Sequence, residues 1–156
     1  MGKRDDFWHS LRQDEEGELH WPEDPEARAS LAKDILGARI IGAVEAVLDE
    51  RLQIADGQPP KPGRDDYQQE ATRRTIFAQM SEEQRAAVRA LLKSACFGTL
   101  YWILVRLKSY PGAAVDITMA PYTPDGAELP VIGLNETELY FWYFDWVEKF
   151  SDHGEK

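Results

Sequence analysis

Apolar residues recur at three- and four-residue spacing over much of the chain, the period of an α-helix rather than of a strand. Between Pro25 and Gly57, Leu31, Ile35, Ala38, Ile41, Val44 and Leu48 keep that spacing, and Leu36, Ile40 and Val47 widen the stripe. The pattern predicts a long helix buried on more than one side. Pro25 suits its first turn, Glu26 the positive end of the helix dipole, and Gly57 the stop. The segment QPPKPG then breaks the pattern, because prolines hold an extended backbone and lack the amide donors a helix needs. Residues 57–64 are therefore expected to link helices inside one domain, neither side being large enough to stand alone.

A further helix is expected to start at Asp65 or Asp66 and run through YQQEATRRTIFAQM. Ser81 and Gln84 carry the spacing of a capping box, in which the hydroxyl and the side-chain amide satisfy each other's backbone donors. The helix they open should end before Pro111 and Gly112. Within it, residues 94–105 carry no charge and are apolar nearly all round the helical wheel. Twelve residues rise only about 18 Å, and a bilayer span needs roughly 20 residues, so the expectation is a central core helix rather than a membrane segment. Val115, Ile117 and Met119 then alternate, and the stretch from Thr123 to Gly126 reads as a turn, giving a short β-hairpin. Asn135 is the expected cap of a last helix; it also fits a glycosylation acceptor with Thr137, a reading that would require a secretory signal.

That last helix holds ELYFWYFDWVEKF, residues 138–150, seven aromatic rings of the chain's seventeen. Leu139, Tyr143, Trp146 and Phe150 fall on one line, with Trp142 on one flank and Tyr140 and Val147 on the other, which is core spacing. Phe144 widens the apolar arc, and Phe141 lies among Asp145 and Glu148 on the solvent side. More is apolar here than one packed side requires, so the hairpin, the Phe7 and Trp8 segment or another molecule is expected to cover the rest. At the other end of the chain, RDDFWHSLRQ predicts a short helix capped by Asp5 or Asp6 and burying Phe7, Trp8 and Leu11. The remainder of residues 1–26 is polar and reads largely as loop.

Composition adds limits to this mostly α, single-domain bundle of four to five helices. At 156 residues the chain is long enough to bury a core without staples. Its single cysteine, Cys96, cannot form an internal disulfide, and no charged segment leading into an apolar stretch opens the sequence, so a cytoplasmic location is expected. A net charge of −10 argues against nucleic acid and anionic membrane as partners. The charge is uneven: residues 67–110 are net positive and both ends are acidic, which suggests either that the ends neutralise the middle or that an acidic face meets a basic partner.

Reactive constellations are scarce in the sequence. His9, His20 and His153 stand apart in polar outer segments, and no metal site or cofactor is expected. Cys96 sits in apolar sequence, where a thiol behaves as a small hydrophobe. Ser30 and Lys33 have a Ser-x-x-Lys spacing without the companion elements that would make it catalytic. The Gly57 to Gly63 stretch lacks the spacing and donors of a phosphate loop. Glu15, Glu16, Glu18, Glu23, Asp24 and Glu26 have no burial to tune them as acids or bases.

Three functional classes are consistent with these features. The first is a non-enzymatic protein-binding module whose acidic and aromatic surface, Phe141, Phe144, Asp145 and Glu148, meets a protein partner or a second copy of the chain. Bacterial immunity proteins and other small inhibitors share that general profile of a compact acidic domain without catalytic motifs. The second is a small-molecule binder or enzyme with a pocket between the central and C-terminal helices, lined by Tyr101, Trp102, Tyr140 and Trp142. The third is phosphate or nucleic-acid contact through Arg73, Arg74, Arg85, Arg89 and Lys93, set against a plain solvated face.

Overall fold

The computed structural model describes residues 2–11, 20–57, 67–108, 117–123, 126–134 and 139–154. Among them are five helices and one two-stranded antiparallel hairpin: α1 (Lys3–Leu11), α2 (Pro25–Ala55), α3 (Tyr67–Ala78), α4 (Glu82–Lys108), β1 (Thr118–Met119), β2 (Ile132–Gly133) and α5 (Leu139–Phe150). The fold is mostly α, with the hairpin before the C-terminal helix. The linker at residues 58–64, the start at Asp65 or Asp66, Pro111 and Gly112, Val115 and the Asn135 cap lie outside the described residues.

Local chemistry fixes the ends of the long helices. Asp24 Oδ2 accepts the Ala27 N–H at 2.7 Å, Pro25 opens α2, and Gly57 follows its end at φ +74°, a conformation that a side chain would strain. Ser81 and Gln84 form the reciprocal capping box ahead of α4: the Ser81 N–H donates to Oε1 of Gln84 at 2.8 Å, and the Gln84 N–H to Oγ of Ser81 at 3.2 Å. For α1 the structure corrects the expected cap. Asp5 and Asp6 lie within its first turn, and Oδ1 of Asp152, distant in sequence, accepts the Lys3 N–H at 3.0 Å. Lys3 Nζ in turn donates to the Glu148 carbonyl at 2.9 Å, a cation at the negative end of α5. No residue of α1 is fully buried; Phe7, Trp8 and Leu11 are half-buried.

The chain forms two compact units, Met1–Gly42 with Tyr101–Lys156, and Ala43–Leu100, so each boundary falls inside a helix, α2 or α4. In the first unit the core comprises Ala32, Ile35, Ala38 and Ile41 of α2, Leu104 of α4, Ile132 and Leu134 of the hairpin, and the inward line of α5. Thr118 pairs with Gly133 and Met119 with Ile132, while Tyr122 bridges Glu128. Two residues therefore lie between the paired positions on the first arm and three on the second, a one-residue bulge that includes Pro130, which cannot donate to a ladder. The turn closes where the Gly126 N–H donates to the Thr123 carbonyl at 2.8 Å.

In the second unit Leu48, Ile54, Ala55, Phe97 and Leu100 are buried, together with two charged residues, Glu45 and Arg74. The expectation that α4 is covered on every side is corrected. Its buried side chains, Phe97, Leu100 and Leu104, follow a single line, while Leu91, Trp102 and Ile103 are exposed. By length and composition α4 is apolar enough to cross a membrane, once the residues flanking the uncharged run are counted, and 17% of that window is buried. Helix α2 likewise buries one side only, and Val47 is exposed.

Candidate functional site

Helix α5 sorts its rings by position. Leu139, Trp142, Tyr143, Trp146 and Phe150 are buried, while Phe141 and Phe144 are 56% and 62% exposed. The inward side is held by close approach as well as by area. Trp146 packs against α2 at Gly37, where even a methyl group would collide with the indole ring. Its Nε1–H is buried and has no hydrogen-bond partner among the described residues. Trp142 packs on Trp146 at 5.7 Å between ring centres, and Phe7 of α1 covers Phe150 at 4.9 Å. Burial pushes the Tyr143 hydroxyl above its ordinary pKa.

Charged residues bracket this contact between α2 and α5. Lys149 pairs with Asp34, and Lys33 Nζ stands 3.8 Å from Asp145 and 5.0 Å from the centre of the Trp142 ring. The Asp145 side chain remains 71% exposed, and Glu148 is exposed. A surface pair of this separation contributes little stability, and Asp145 keeps oxygen atoms facing solvent.

On the outward side the rings form a continuous ridge. Tyr101 of α4 meets Trp102 at 5.7 Å, Tyr140 at 6.4 Å, Tyr143 at 5.4 Å and Phe144 at 5.9 Å. Tyr140 continues to Phe141 at 4.4 Å. The half-buried Tyr101 and Tyr140 and the buried Tyr143 are the floor, and Trp102, Phe141 and Phe144 are the exposed rings above it, with Asp145 and Glu148 also exposed on α5. Four residues expected to bind a partner thus share one helix, and the structure adds Trp102.

Of the four residues expected to line a pocket, Tyr101 touches Trp102 and Tyr140, and Trp142 packs elsewhere. Tyr101 and Tyr140 meet edge to face, a packing that fills the space between them, and Trp102 is 60% exposed. Trp142 is buried against Trp146 and Lys33 instead.

The basic residues of the middle also divide. Arg73 is exposed, Arg74 is 9% exposed and Lys93 is half-buried. Arg89 reaches Asp56 and Glu82, both at 2.8 Å, and Arg85 reaches Glu82 at 3.0 Å. The hydrogen bond from Arg89, followed by that from Arg85, holds the Glu82 carboxyl below its ordinary range, and Glu82 and then Asp56 raise Arg89. These arginines find their acids within the same unit rather than in the acidic ends. No group of three or more His, Cys, Asp and Glu side chains among the described residues is placed to hold a metal ion.

Sequence reasoning passed over Glu45 and Arg74 as interior residues. For Glu45 a signal was present, because it sits between Ile41 and Leu48 on the buried line of α2. Similarity adds no family to this geometry: no protein-family model, no curated protein and no solved structure matches the chain.

Proposed function

We propose that the chain is a non-enzymatic cytoplasmic protein-binding module, of immunity or inhibitor type, that docks a partner protein on the ridge formed by Trp102, Phe141 and Phe144. The observation that carries this reading is the exposure of three large rings, each packed on a tyrosine of one connected aromatic cluster. Aromatic residues are the anchors of interface cores, and rings already held by their neighbours lose little freedom on binding. Asp145 and Glu148 are exposed on the helix of Phe141 and Phe144, and residues 111–156 are strongly acidic, so the complementary surface is apolar at its centre and basic at its rim.

The test is a titration with the partner identified by affinity capture, comparing parent chain, Phe141→Ala and Phe144→Ala. Each substitution should weaken binding by about 1 kcal/mol or more, as loss of a buried interface ring does. Association should also slow with added salt, because rim charges steer encounter. Unchanged affinity in both variants would overturn the assignment of the ridge, and association rates flat across a salt series would remove the acidic rim from it. Sedimentation of the chain alone identifies the case in which the partner is a second copy.

A further inference from the structure

Helix α4 carries an apolar face that the described residues leave exposed. Leu91 and Trp102 are 69% and 60% exposed, Ala87, Ser94 and Ala95 are exposed, and a side chain added at Gly98 would meet no atom within 4 Å. At helical spacing these residues share one side of α4, opposite the buried line of Phe97, Leu100 and Leu104. Glu83 and Arg106 stand at the two ends of that side. Both are exposed and neither has an ion pair among the described residues, whereas Glu82, Arg85 and Arg89 are paired.

We propose that this face pairs with the same face of a second copy of the chain, the two α4 helices running antiparallel about a twofold axis between Ser94 and Ala95. A twofold contact is isologous, so each pairing occurs twice. That axis sets Leu91 opposite Gly98 and Trp102 opposite Ala87, a large side chain over a small one each time, while Ser94 and Ala95 let the backbones approach at the centre. The same register sets Glu83 opposite Arg106, so unlike charges meet at both ends. Size and charge thus select one register independently; a parallel pairing would set Leu91 on Leu91, Trp102 on Trp102 and Glu83 on Glu83. At a shallow crossing of about 20° the contact runs from Glu83 to Arg106, about 36 Å of helix. One helix on one helix lies at the lower end of specific interfaces, so the dimer is reversible, with a Kd on the order of micromolar. Trp102 is the one residue shared with the aromatic ridge, and the pairing does not rest on the ridge's binding a partner.

The experiment is sedimentation equilibrium of the full chain at concentrations up to about 100 μM, with thermal melts of each variant in dilute solution. A reversible dimer is the expected result, and Leu91→Glu and Gly98→Leu should each raise its Kd at least about tenfold. Gly98→Leu should do so without lowering the melting temperature of the dilute chain, because the site is open and glycine is a poor helix former. Glu83→Arg and Arg106→Glu should each weaken the dimer about threefold or more, and the two reversals together should restore it. Phe141→Ala should leave self-association unchanged, which separates this face from the ridge. A monomer at every concentration, full association in Gly98→Leu, no rescue by the double reversal, or loss of the dimer in Phe141→Ala would each overturn the pairing. So would a monomer that floats with neutral phosphatidylcholine vesicles, which would give the face to a bilayer.

Discussion

Helix α5 buries five of its twelve residues and α4 buries Phe97, Leu100 and Leu104 of its twenty-seven, although both contain long apolar runs. In α5 the apolar residues are graded around the helix: one line is wholly aromatic or aliphatic, and Asp145 and Glu148 mark the opposite side. In α4 residues 94–105 are apolar in every direction, so the wheel names no preferred face. Hydrophobic content states how much surface favours burial, whereas only asymmetry around the helix states which surface achieves it. The same contrast explains why exposed apolar residues persist on α4 at Leu91, Trp102 and Ile103.

The largest effect expected is at the inward side of α5. Trp146→Ala should cost about 3–5 kcal/mol, because a fully buried indole is removed from a site where α2 approaches closely enough to require Gly37. Denaturant melts read this directly, and a loss below about 1 kcal/mol would dissolve the contrast between the helices.

On α4 the single buried line makes a sharper test. Leu100→Ala should cost about 2–5 kcal/mol, while Ile103→Ala, at a position 52% exposed, should cost less than about 1 kcal/mol. Equal losses at the two positions in the same melts would restore α4 as a helix covered all round.

A smaller effect belongs to the start of α4. Ser81→Ala should cost about 1 kcal/mol by removing the hydroxyl that accepts the Gln84 N–H. Amide exchange should quicken in the first turn of α4 and not in α5.

The smallest effect depends on pH. Glu82 has a folded pKa below its ordinary value, so its contribution is present above the unfolded value, about 4.3, and is lost as pH falls through the folded one. Melts between pH 6 and 3 should show a slightly shallower acid loss in Glu82→Gln than in the parent. Identical profiles would mean that the pairing with Arg89 and Arg85 contributes nothing measurable, as exposed ion pairs often do.

Much of the fold was legible because its signals are local. Pro25 and Gly57 bracket α2, the capping box precedes α4, and the line Leu139, Tyr143, Trp146 and Phe150 is buried as its spacing requires. What was not legible depends on residues distant in sequence. The cap of α1 comes from Asp152, 149 residues away from Lys3, and no propensity at Asp5 or Asp6 could reveal it. Trp102 joined the ridge through its sequence neighbour Tyr101, whose contact with Phe144 only the tertiary structure makes.

The most direct test of the account is one set of urea melts on the isolated chain, comparing the Phe141→Ala, Phe144→Ala double variant with Trp146→Ala. The account predicts that the double variant stays within about 1 kcal/mol of the parent, because both rings are more than half exposed, while Trp146→Ala loses about 3–5 kcal/mol. A double variant as unstable as Trp146→Ala would show that α5 is core on every side, and the aromatic ridge would not be a free surface for a partner.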